Sequence, residues 1–162
     1  MSVQAQLHAS RCWESLVTLL HDSLENCDVC EITDKDFDQQ GELVFQDRAV
    51  RVLYLGTGFK PIENQRTSYE AVHRFMLIAF EDDRRSQRDQ SLASLILSQD
   101  AMEQVAGARL LLAGSHEQTE PITLLSCDLF PVADRGVGYA VGIEVPGPAV
   151  FPGVHAEPTL QE

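Results

Sequence analysis

Trp13, Leu16, Val17, Leu20 and Leu24 fall at steps of three and four along an otherwise polar stretch. That period puts them on one stripe of a helix, predicted from about residue 4 to 25, with Asn26 as its stop. The next stretch, "CDVCEITDKDFDQQGELVFQDRA", is polar and acidic, with room for short strands on either side of a turn near Gln39-Gln40-Gly41. "AVRVLYLG" (49–56) is rich in β-branched and aromatic residues and predicts a strand. "GTGFKPIENQRTS" predicts a turn-rich loop or hairpin tip. "YEAVHRFMLIAFED" (69–82) predicts a second strand, central in its sheet because its end is apolar on both faces.

A charged connection, "DDRRSQRDQ", leads into a helix predicted from about 89 to 106. Asp89 or Ser86 is its cap, and Gly107 follows its last turn. Leu92, Leu95, Ile96, Met102 and Val105 are its expected buried stripe. "ARLLLAGS" (108–115), "PITLLSCDLFPV" (121–132) and "VGYAVGIEVP" (137–146) predict further strands. In the last, Val137, Tyr139, Val141, Ile143 and Val145 face one way, and Gly138, Ala140, Gly142 and Glu144 the other. The closing "PGPAVFPGVHAEPTLQE" holds four of the seven prolines and no periodicity. It predicts an extended tail whose Val150, Phe151 and Val154 need cover from their own domain or from another chain.

Successive strands with short turns predict an α+β domain. Its expected form is an antiparallel or mixed sheet of about four to six strands, two main helices packed on it, and an extended C-terminal tail. Residues 1–146 form one domain and 147–162 the tail. The length of 162 residues is enough for a core without staples. At 44% hydrophobic and 23% charged, the composition is that of a globular protein.

Charge narrows the partners. Twenty-five acids against 12 bases give a net charge of −13. That balance disfavours nucleic-acid binding and anionic membranes, both of which call for a basic face. A basic partner, or a passage that must repel DNA, suits it. The longest apolar run, "FMLIAF", is strand-sized and too short to span a bilayer. The N-terminal "MSVQAQLHASRC" has no basic patch followed by an apolar run. The chain is expected to fold in a cytoplasm with Cys12, Cys27, Cys30 and Cys127 reduced.

Several motifs invite chemistry and none completes it. Cys27 and Cys30 make a Cys-x-x-Cys pair, but structural zinc needs four ligands and no second pair exists. A redox dithiol wants a strand before it and a helix after it, and here that order is reversed. In an extended chain the two side chains point to opposite faces, because three is an odd step. Asp34, Asp36 and Asp38 have calcium-loop spacing, but the glycine and glutamate places of such a loop hold Gln39 and Phe45. "GTG" (56–58) lacks the third glycine of a dinucleotide fingerprint, whose place is Pro61. His73 sits in an apolar strand, where a packed or hydrogen-bonded role outweighs that of a general base. Glu81, Asp82 and Asp83 pair more simply with Arg84, Arg85 and Arg88 than with a cation. No catalytic, cofactor or metal site is expected, and the chain is not expected to be an enzyme.

The element order, with "AVRVLYLGTGF", "HRFMLIAFEDD", a helix, then "RLLLAGS", "ITLLSCDLFPV" and "GYAVGIEVP", resembles the tail proteins of Mu-like phages and prophages. That group is similar in fold to the tail-terminator proteins of long-tailed phages, and the resemblance spans roughly residues 5 to 146. It implies a non-enzymatic virion protein, made in the bacterial cytoplasm, that forms a ring at the head-proximal end of the tail. The ring, often a hexamer, caps the tail tube and meets the head connector. Expected partners are therefore other copies of the chain, the tube protein and the connector protein. DNA passes through without specific binding, and a negative bore would let it do so. The candidate subunit-interface residues are Arg84, Arg85 and Arg88, set against Asp34, Asp36 and Asp38 of a neighbour, together with Phe151. The competing expectation is a small acidic inhibitor or immunity protein that covers a basic surface.

Overall fold

The structure, a computed structural model, describes residues 3–44, 47–62, 65–82, 86–112, 116–132 and 136–152. Helix α1 spans Val3–Ser23. Cys12, Leu16 and Leu20 are fully buried along it, and Trp13 and Val17 lie half-buried beside them. The stop falls at Asn26, whose φ of 50° places it in the left-handed region that asparagine tolerates. A short strand β1 (Asp28–Glu31) follows, then the acidic segment with a 3-10 turn at Asp34–Asp36.

Two long strands, β2 (Arg48–Ile62) and β3 (Gln65–Glu81), pair antiparallel as a hairpin. Of the stretch expected as a loop or hairpin tip, "GTGFKPI" is strand, and residues 63–64 between the two strands lie outside the described set. Gly56, at φ 138°, sits at a bulge that bends β2 and lets it continue. Helix α2 (Gln87–Val105) is capped by Ser86, whose Oγ accepts from the Asp89 amide at 3.1 Å. Strands β4 (Thr123–Val132) and β5 (Gly136–Pro152) complete a five-stranded mixed sheet in the order β1-β2-β3-β5-β4, with β1 parallel to β2. The α+β architecture is thus the expected one, with β3 at the centre.

Two expected strand assignments differ. "ARLLL" does not join the sheet: Leu111 makes an isolated bridge to Gln118, and Leu110 and Leu112 turn into the core from this small loop. Residues 113–115 lie outside the described set. At the other end, β5 runs six residues past the expected boundary at 146, pairing with β3 as far as Ser68↔Pro152. The proline-rich tail thus begins as extended strand, and 153–162 lie outside the described residues.

Both helices pack on one face of the sheet. There Val50, Val52, Phe75, Leu77, Val141, Ile143 and Val145 meet Leu16, Leu20, Leu97, Ala101 and Val105. Trp13 fastens α1 to the sheet by donating from Nε1 to the Val52 carbonyl at 3.1 Å. A smaller cluster of Leu43, Ala49, Ile78, Phe80, Val132 and Ala140 lies on the opposite face. Alternation explains the split, since neighbouring residues of one strand point to opposite faces.

Candidate functional site

The acidic segment is fastened to the sheet by a charged side chain. Arg51 stands on the face away from the helices and is only 7% exposed. Its Nε donates to Asp36 Oδ1 at 2.8 Å, and its Nη2 donates to Asp28 Oδ2 at 2.8 Å. The Asp28 carbonyl accepts from Arg51 Nη1 at 2.9 Å. Asp36 also accepts from the Thr33 amide at 2.8 Å, so the carboxylate shapes its own turn. Asp38 accepts from the amides of Gln40 and Glu42, each at 2.9 Å, around Gly41 at φ 79°. The turn near residues 39–41 forms as expected, and Leu43 beyond it drops into the smaller cluster.

Two of the three expected interface acids have partners within the chain. Asp36 is buried and serves Arg51 of its own chain, and Asp38 holds its own turn. Of the three acids, only Asp34 stands exposed. Arg88 is exposed in the first turn of α2, whereas Arg84, Arg85 and the Phe151 side chain lie outside the described residues. Glu81 pairs with Arg48 at 2.9 Å, a partner 33 positions away that local charge runs do not suggest. Arg51 itself was missed in the sequence. The signal for it is a cation flanked by Val50 and Val52 within an apolar stretch, in a chain with a nearby acidic run.

Burial raises the pKa of three of the four thiols, Cys12, Cys27 and Cys30. Cys27 packs against the main core, and burial pushes it up to about 11. Cys30 lies near Arg51, Asp28 and Asp36, and its pKa is also raised, first by burial. Cys12 is fully buried and pushed up to about 12. All four cysteines are free. Among the described residues no group of three or more His, Cys, Asp or Glu side chains is placed to hold a metal ion. His73 is fully buried, with Nδ1 2.8 Å from Thr57 Oγ1, and Thr57 in turn meets the Tyr54 hydroxyl. It is a hydrogen-bonded core residue.

The most unusual surfaces are apolar. Helix α2 has an inverted face: Gln90, Ser94 and Ser98 are buried with Leu97, Ala101 and Val105, while Leu92 is 50% and Ile96 48% exposed. The expected stripe was therefore partly wrong, because inward polar groups here have partners. Gln90 Nε2 donates to the carbonyls of Glu81 and Val137 at 3.1 and 2.8 Å, and its Oε1 accepts from the Val137 amide at 2.9 Å. Gln90 thus ties α2 to β3 and β5, and Leu92 and Ile96 are left on the exposed side of the helix.

A second surface is β4, the outermost strand beside β5. Residues 123–129 are all exposed, with Leu124, Leu125 and Leu129 at 39, 53 and 57%. A third is the arm where β2 and β3 run beyond β1, with Leu55, Phe59 and Tyr69 exposed. Among the described residues no helix is long and apolar enough to cross a membrane. No protein-family model matches the chain, and no curated protein sequence matches it.

Proposed function

We propose that this chain is a structural subunit of a long-tailed phage tail, a terminator that assembles as a ring, caps the tail tube and meets the head connector. One observation carries the reading: among the described residues two separate apolar strand surfaces are exposed, on the β4 edge and on the β2–β3 arm. A closed ring joins one patch of each copy to a different patch of the next, so it needs two such surfaces, whereas a two-fold dimer needs one. The net charge of −13 supports a DNA passage that does not retain DNA, and it concentrates self-association on surfaces poor in acids.

The test is electron microscopy of phage particles made with and without this protein. Tails of uncontrolled length, or tails that fail to join heads, are the expected result of its loss. Normal tails and full infectivity without it would end this reading. A monomer that binds a basic protein tightly would then favour the acidic inhibitor.

A further inference from the structure

We propose that β4 of one copy pairs antiparallel with the β2 arm of the next, so that neighbouring subunits share a continuous sheet. This rests on the ring reading and names the contact that would build it. Strand β4 ends the sheet, and Ser126–Val132 stays in unbroken register with β5. Edge strands are usually short or guarded by lysines. This one has ten residues with Asp128 as its one charge, and a bulge at Leu125 and Pro131 near its end bound the run Ser126–Phe130 that is open to a partner strand. On the other side of the molecule, β1 pairs with β2 only from Ala49 to Val52. Among the described residues no strand pairs with the outer side of 55–62.

Direction and face agree with this join. From β2 through β3 and β5 to β4, each step is antiparallel. When two copies lie side by side with their helices on the same side, β4 of one runs antiparallel to β2 of the next. Leu129 lies opposite Tyr139, on the helix side. Phe59 lies opposite Ala71, two residues from His73 and so on that side too. Asp128 and Lys60, each one step along, point to the other face, and both are exposed. In an antiparallel ladder that sets Leu129 opposite Phe59, the next pair is Asp128 opposite Lys60. Two half-exposed apolar side chains then cover one another, and an acid meets a base. The same register sets Cys127 opposite Pro61, which has no N–H to donate, so the ladder closes there.

Charge reversal tests the register. Lys60→Glu alone and Asp128→Lys alone should each weaken association about tenfold, and the two together should restore it. Asp128→Lys is the discriminating arm. It lowers the overall repulsion between acidic subunits, so any general charge effect would strengthen association. A second arm uses the native, exposed Cys127 with Pro61→Cys in a Cys30→Ser background. Mild oxidation should give a ladder of covalent multimers on a non-reducing gel, and the ladder should vanish when Cys127→Ser is added.

The pairing is overturned if Asp128→Lys associates as well as the parent, or if the double reversal fails to restore association. It is also overturned if oxidation gives only Cys127–Cys127 dimers, or if the chain stays monomeric at every accessible concentration. The ring reading can fail separately. A ladder together with normal tails in the protein's absence would leave this contact standing and remove the terminator role. Uncontrolled tails with no ladder would do the reverse.

Discussion

Asp36 and Arg51 show how a single pair decides where a whole segment goes. Both side chains are nearly buried, with Arg51 Nε and Asp36 Oδ1 2.8 Å apart. Asp36→Ala takes the buried carboxylate from a desolvated Arg51, which keeps Asp28, and should cost about 2–3 kcal/mol in urea unfolding. Asp28→Ala, whose side chain is 66% exposed, should cost under about 1 kcal/mol. The Asp36→Ala/Arg51→Met double variant should be more stable than Asp36→Ala alone, since the desolvated guanidinium is then gone as well. The buried thiols make a separate prediction. Cys27 and Cys12 are raised from 9.0 to about 11 and about 12, so folding favours their protonated forms. Their contribution is fully present below pH 9 and is lost as pH rises through those folded values. Thermal melts of the parent should therefore fall across that alkaline window, and Cys12→Ala should flatten part of the fall. Under native conditions at neutral pH a thiol reagent should label Cys127 first, and Cys12 and Cys27 only after unfolding.

Helix α2 is the element that departs most from its pattern. Its apolar residues suggest one stripe, but the packing uses another, built from Leu97, Ala101 and Val105 with Gln90, Ser94 and Ser98. Leu97→Ala should cost about 2–5 kcal/mol, as truncation of a fully buried leucine does. The pair Leu92→Gln and Ile96→Gln should change monomer stability by no more than about 0.5 kcal/mol each. Gln90→Leu should cost more than either of these. It orphans the Val137 amide and carbonyl and leaves the Glu81 carbonyl with the longer bond from Ser94 Oγ at 3.4 Å, at about 1–3 kcal/mol for an unsatisfied buried group. Denaturant unfolding of the four variants checks this order. Gln90, Ser94 and Ser98 recur at helical spacing, but only β3 and β5 supply the acceptors and donors that make an inward Gln90 favourable.

At the scale of the whole molecule, charge opposes assembly while the strand surfaces favour it. Each copy carries −13, so two copies repel at long range. On the ring reading, raising ionic strength from low salt should increase the oligomeric fraction, because screening shortens the repulsion and leaves short-range strand pairing intact. Light scattering across a salt series measures it. A fraction that falls with salt would point instead to association through ion pairs.

Much of the architecture follows from period alone. Leu16 and Leu20 at helical spacing, and Val141, Ile143 and Val145 at strand spacing, put one face of each element in the same core. Asn26 and Gly107 end the two helices because their backbones accept a positive φ. The odd step between Cys27 and Cys30 already separated the two thiols. The sequence could not show that Arg51, 15 residues from Asp36, would fold the acidic segment back on the sheet. It could not show that Gly56 would bend a strand and let it continue. Nor could it show which of two apolar stripes α2 would bury. Local pattern records what a residue prefers against water, whereas these outcomes depend on which distant group satisfies a buried polar atom. Only the tertiary structure brings those groups together.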